Sequence, residues 1–237
     1  MEMWNGFRFE KTTFEDRELW AVYPDKPNGR WLLKTEYFGA FPNAEIELVK
    51  QGYHLFHISN KTRWHEWDDT DARARFAEFV HKEYGLAKKC VIVGMSCGGM
   101  QGIYFAAKYP QYVSCLYLDA PVVNLLSCPA GMGRATSWLM KEFVKMKKMD
   151  VIDLMGYREH PLDFVPQLVK NNIPTLLIAG DADFIVPYDE NGKYVNDAYV
   201  KAGATIETII KPDCGHHPHG LEDPTPIIEF VKKYDKD

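Results

Sequence analysis

The segment Lys89–Gly99 (KCVIVGMSCGG) constrains this chain more than any other stretch. Lys89 to Gly94 carries a continuous apolar run (CVIVG), the pattern of a parallel strand buried on both faces. Gly94-Met95-Ser96-Cys97-Gly98-Gly99 follows at once, and then Gly98 to Tyr109, small and apolar, a helix pressed close to a sheet and stopped by Pro110. Alone, the spacing G-x-S-x-G is a weak pattern. Between a buried strand and a small-residue helix it is a strong one, because a nucleophilic serine must sit on a tight, strained turn that only flanking glycines tolerate. Ser96 then stands at a helix N-terminus, where backbone N–H groups favour developing negative charge. The competing reading is a glycine-rich turn that merely packs helix on strand, and the context favours the nucleophile.

The rest of the chain agrees with an α/β architecture. Phe7 to Pro24 alternates around Glu15-Asp16 and predicts an antiparallel hairpin. Trp31 to Phe38 reads as a third strand, Asn43 to Gln51 as a short helix, and Tyr53 to Ile58 as a strand. Asp71 to Tyr84 sets Phe76, Phe79 and Val80 at helical spacing. Val113 to Ala120, Thr175 to Ala179 and Thr205 to Ile210 are further strands, with helices near Asn191 to Lys201 and over Thr225 to Tyr234. Strands alternating with helices imply one domain over residues 1–237, a mostly parallel sheet with helices on both faces. Between Pro121 and His160 the rhythm breaks, and residues 121–160 read as a short inserted helical lid.

A serine nucleophile needs a base, and the base an orienting acid. Asp181 and Asp183 lie just beyond the Thr175–Ala179 strand, and His216, His217 and His219 follow the Thr205–Ile210 strand. Each cluster is at the carboxyl end of a strand, where open α/β sheets place their sites. On these residues, taken in the order Ser, Asp, His, the chain resembles the α/β-hydrolase superfamily, serine esterase type. The resemblance covers nearly the whole length, with a hairpin start, nucleophile elbow, lid insertion, acid loop and histidine loop. That family's G-x-x-D-x-x-V-P loop matches Gly180, Asp183, Val186 and Pro187, so the resemblance implies Asp183 as the acid and leaves Asp181 to the turn. Its Gly-His pattern implies His216 as the base, leaving His217 and His219 to fix the loop or line the pocket. The resemblance also implies an oxyanion hole, with one donor the N–H of Cys97. Glu36-Tyr37-Phe38-Gly39 is similar to the loop of the dienelactone-hydrolase branch, which implies Tyr37 N–H as the second donor and puts Glu36 near the nucleophile; a shifted alignment selects Phe41. That branch typically uses cysteine where this chain has Ser96. Cys97, the residue after the serine, reads as a small packing residue.

Histidines 216, 217 and 219 with Cys214 are also possible metal ligands. Adjacent histidines point in different directions and no second cluster completes a site, so no metal and no cofactor are expected. The stretch Asn60 to Asp69 (NKTRWHEWDD) should lie on the rim near Ser96, where Trp64 and Trp67 either stack on a substrate ring or pack under the lid. Trp138 in the lid, among Met132, Met140, Met146, Met149 and Met155, is a third candidate substrate contact.

Composition closes off other classes. The net charge is -5, from 28 basic and 33 acidic residues, with 26% charged and 46% hydrophobic residues overall. That balance excludes a disordered chain, and its spread along the sequence implies no nucleic-acid surface. No apolar run approaches the roughly 18 residues that span a bilayer, so no membrane partner is expected. Met1 to Glu10 lacks the basic start and apolar stretch of a signal peptide, although a mature secreted form could have lost its leader. The five cysteines are odd in number and scattered, which favours free thiols in a reducing, cytoplasmic setting. The expected activity is hydrolysis of small carboxylic esters, acetyl or aromatic acyl esters of carbohydrates among them. A serine peptidase or acyl-aminopeptidase and a non-catalytic ligand-binding protein are the alternatives, and the oligomeric state is not legible.

Overall fold

A computed structural model describes residues 2–236; Met1 and Asp237, which the single-domain reading includes, lie outside the described residues. Among the described residues, nine strands, numbered in chain order, form one sheet. β1 (Glu2–Trp4), β2 (Phe7–Phe14), β3 (Arg17–Tyr23) and β5 (His54–Ile58) pair antiparallel in succession. From β5 onward through β4 (Trp31–Lys34), β6 (Cys90–Met95), β7 (Val113–Asp119), β8 (Thr175–Gly180) and β9 (Ile206–Lys211) every pairing is parallel. The order across the sheet is β1-β2-β3-β5-β4-β6-β7-β8-β9. This is the α/β-hydrolase fold, a mostly parallel sheet with helices on both faces.

The apolar run of β6 shows why the layers form. Cys90 and Ile92 belong to one core, together with α2 (Trp67–Tyr84), α3 (Cys97–Lys108), α6 (Pro161–Lys170) and α7 (Gly192–Ala202). Val91, Val93 and Met95 turn to the other face and meet α1 (Asn43–Lys50) and α8 (Thr225–Tyr234). Both sets of side chains are removed from water, so no polar alternation is available to this strand.

Several elements differ from expectation. The strand expected over Trp31–Phe38 stops at Lys34, because residues 35–42 form a loop with Tyr37 and Phe41 at φ 53° and 46°. The helix expected from Asp71 begins at Trp67, with Asp68 and Asp69 in a first turn whose free N–H groups favour acids. α6, with Pro161 at its start, had no counterpart in the sequence reading. Within residues 121–160, turns and bends lead into α4 (Met140–Lys147) and α5 (Val151–Gly156), the latter opened by an Asp150–Asp153 capping box. No helix among the described residues is long and apolar enough to cross a membrane.

Candidate active site

β6 passes directly into α3 through Ser96, which adopts φ 52° and ψ -121°. The turn is held from three sides. Ser96 N–H donates to the carbonyl of Asp119 at 2.9 Å, and the Ser96 carbonyl accepts from Gly99 and Val122 at 3.0 and 3.1 Å. A Cβ on Gly94 would lie 2.8 Å from both the Gly98 carbonyl oxygen and the Gly99 Cα, so only glycine fits beneath the elbow. The Cys97 N–H opens α3, where the first N–H groups have no acceptor inside the helix.

The acid and base arrive from β8 and β9. Asp183 is buried, and its Oδ1 accepts from the N–H groups of Ile185 and Val186 at 2.7 and 2.9 Å. Its Oδ2 lies 2.7 Å from His216 Nδ1, and His216 Nε2 lies 3.0 Å from Ser96 Oγ. Burial pushes the Asp183 carboxyl up, but the bonds from His216 and the two amides outweigh it and hold the group below its ordinary value. The two loops cross closely, since a Cβ on Gly180 would sit 2.1 Å from the Cys214 carbonyl oxygen. Asp181 stays outside this arrangement; its N–H donates to the Lys211 carbonyl.

Ser96, His216, Cys97, Tyr37 and Trp138 line one cavity of about 190 Å³, together with Phe41, Arg63, Leu139, Ile185, His217 and His219. Trp138 is 63% exposed at its mouth. Burial pushes the Cys97 thiol up to about 11, so it holds its proton at neutral pH and is a poor nucleophile.

Glu36, Trp64 and Trp67, expected near the nucleophile or the substrate, do not line the cavity. Glu36 is tied from behind, accepting from Asn60 Nδ2 at 2.6 Å, while Asn60 in turn accepts from the buried Arg73. The Tyr37 N–H makes only a long contact of 3.4 Å with Glu36 Oε1. Trp64 is buried under α4, its indole N–H donating to Glu142 at 2.9 Å and its ring edge-on to Phe143. Trp67 starts α2 and lines a separate groove with Lys108 and Phe164, its N–H on Glu159. Of the two uses open to these tryptophans, packing is the one the structure displays.

Arg63, part of the polar run Asn60 to Asp69, is the cation of the cavity. Its Nε donates to Glu142 Oε1 at 2.7 Å and its Nη2 to Glu142 Oε2, so α4 is bound to the rim through a two-pronged ion pair. Asp119 was missed altogether. The last residue of β7, it accepts from His219 Nδ1 at 2.8 Å and from the Gly220 N–H at 2.6 Å. The expectation that adjacent histidines diverge also fails, because the loop curls until all three rings face the same cavity.

The prolyl oligopeptidase family model matches residues 51–235. Among solved structures, the acylaminoacyl peptidase of Pyrococcus horikoshii superposes with a TM-score of 0.76 at 14% identity, covering 100% of this chain and 45% of that one. The dipeptidyl peptidase 4 of Porphyromonas gingivalis gives 0.72 at 19% identity over 98% of this chain and 36% of its own. MGS-MChE2, an alpha/beta hydrolase enzyme from a sediment metagenome of the Mar Chica lagoon, Morocco, gives 0.60 at 14% identity, over 96% of this chain and 100% of that one. The chain thus spans less than half the length of the two peptidases, and at such identities the likeness is one of fold.

Proposed function

This chain belongs to the prolyl oligopeptidase family, and from that premise and the cavity around Ser96 we propose that it hydrolyses small, neutral carboxylic acyl substrates, esters foremost. Family membership and the Ser–His–carboxylate geometry make it a serine hydrolase. The observation that carries the reading is the pair of contacts on one imidazole, 2.7 Å to Asp183 and 3.0 Å to Ser96. With Nδ1–H fixed on the carboxylate, Nε2 carries the lone pair and faces the hydroxyl. In the proposed reaction Ser96 Oγ attacks the carbonyl carbon while His216 takes its proton. The tetrahedral oxyanion lies on the N–H groups of Cys97 and Tyr37, each contributing about 3 kcal/mol of barrier reduction. His216 then returns the proton to the leaving oxygen, and water repeats the sequence on the acyl-enzyme. Residues 121–160 serve as the lid, with Trp138 and Leu139 closing one side of the cavity.

The lining favours a neutral acyl group. Among the described residues it contains one cation, Arg63, already paired with Glu142, and no carboxylate to meet a free ammonium. A substrate with an unblocked amino terminus therefore lacks a counter-charge here. A blocked one does not need it, and the family supports acyl-aminopeptide cleavage as a second reading. All five cysteines are free, four of them buried, which supports a reducing, cytoplasmic setting.

Hydrolysis of p-nitrophenyl acetate, butyrate and octanoate, with acetyl-alanine p-nitroanilide alongside, tests the proposal in wild type and Ser96→Ala. The expected result is ester turnover that is fastest for the shorter acyl chains, with activity and fluorophosphonate labelling lost together in Ser96→Ala. A higher kcat/KM on the anilide moves the assignment to the peptide reading. Folded wild-type protein that takes no label overturns the triad in favour of a binding protein.

A further inference from the structure

Three imidazoles face the cavity, and hydrolysis uses one of them. One ring nitrogen from each of His216, His217 and His219 lies within 4.8 Å of the other two. Two of the rings are held by carboxylates in the same way. His216 Nδ1 is 2.7 Å from Asp183, and His219 Nδ1 is 2.8 Å from Asp119, whose other oxygen is fixed by the Gly220 N–H. A ring that directs its Nδ1 proton to a carboxylate presents an unprotonated Nε2. Carboxylate–histidine pairs of this kind orient imidazoles as metal ligands and raise their basicity. The third ring, His217, is exposed, stacks on Phe41 at 5.5 Å and meets His216 and His219 edge-on. A tetrahedral ion with 2.0–2.1 Å bonds sets its nitrogen ligands roughly 3.4 Å apart, so ion binding draws these rings together from separations of up to 4.8 Å. Arg63, the cation that shares the cavity, is neutralised by Glu142.

We propose that His216, His217 and His219 form a binding site for a divalent transition ion of the zinc class, and that ion binding and hydrolysis exclude each other. Both require the Nε2 lone pair of His216, so an ion held there leaves Ser96 without a base. Nitrogen-only ligation selects zinc, cobalt, nickel or copper over magnesium and calcium, which prefer oxygen. The inhibitory half of the proposal rests on the serine-hydrolase reading; the binding half does not.

The test uses the full chain, stripped with EDTA, and follows the rate of fluorophosphonate labelling as zinc chloride is added. Zinc is expected to slow labelling and EDTA to restore it, while magnesium has no effect. In His217→Ala and His219→Ala, each compared with its own zinc-free rate, half-inhibition should need at least about tenfold more zinc. His217 is exposed, so its variant tests the idea without disturbing the fold. A cobalt titration read by the visible absorption of tetrahedral cobalt reports binding separately. A labelling rate indifferent to millimolar zinc, or equal zinc sensitivity in wild type and both variants, overturns the proposal. If the folded protein takes no label even in EDTA, the hydrolase reading fails and cobalt decides. A band lost in His217→Ala upholds the site, and the absence of any band refutes it.

Discussion

Asp183 commits both carboxylate oxygens, one to two backbone amides and the other to His216. The amides fix where the carboxylate stands; the second oxygen fixes which imidazole nitrogen carries the proton. Asp183→Asn keeps the shape but presents either an N–H or a carbonyl to Nδ1, and it abolishes the charge that stabilises the imidazolium. We expect kcat on p-nitrophenyl butyrate to fall by about 10⁴ with KM little changed, the signature of a wrong tautomer at a serine triad. A loss under tenfold, measured at saturating substrate, would remove Asp183 from the mechanism. Ser96, Asp183 and His216 were legible because each occupies a motif position set by a turn: G-x-S-x-G, G-x-x-D-x-x-V-P and Gly-His. Asp119 and Arg63 carry no such local signature. Asp119 is the end of a strand and Arg63 part of a polar loop, and their places depend on which segments the fold brings beside them.

At the scale of elements, the loop after β4 is held by an ion pair inside the core. Lys34 and Glu45 are both inaccessible to water; the Lys34 ammonium donates to Glu45 at 2.5 Å and to the Ala40 carbonyl at 2.6 Å. It thereby joins β4, the loop carrying Tyr37, and α1. Removing one partner strands the other charge, so Glu45→Gln should cost about 3–5 kcal/mol in urea unfolding. The double change Lys34→Met with Glu45→Leu should recover most of that stability, because no buried charge remains. It still lacks the bond to Ala40, and a lower kcat in the refolded double variant would show that the bond positions the loop. Full activity would make the pair purely structural. This loop was read as strand because Thr35, Tyr37 and Phe38 have high strand propensity, which a buried lysine overrides. The reverse error occurred in Asn60–Asp69, whose polar run hid the first turn of α2 and made Trp67 look like part of the rim. The strands β6 to β8 were legible to within a residue or two, since burial on both faces leaves an apolar run that no loop resembles.

The whole molecule carries buried histidines whose titration couples its stability to pH. His57 packs among Trp20 and Phe38, with Nδ1 2.8 Å from the Lys34 carbonyl, and burial lowers it from 6.5 to about 4. Burial, aided by Arg73, lowers His65 to about 2. In this depressed case the unfolded chain takes up protons below pH 6.5 that the folded chain refuses, so stability is lost as pH falls from 6.5 toward the folded value. His57 alone should remove ~2 kcal/mol between pH 7 and pH 5, read as a drop in the urea midpoint. His57→Asn keeps a donor near the Lys34 carbonyl without the titration and should flatten the slope; an unchanged slope would assign the loss to other groups. One further consequence lies in the order of the chain. Ser96 and His216 are 120 residues apart. At the usual 5–20 residues per second of synthesis, roughly 6 to 24 s pass between the two. Through that interval every nascent molecule carries Ser96 with no base beside it. It is chemically silent on the ribosome, and its competence begins only when the histidine loop folds back over β8.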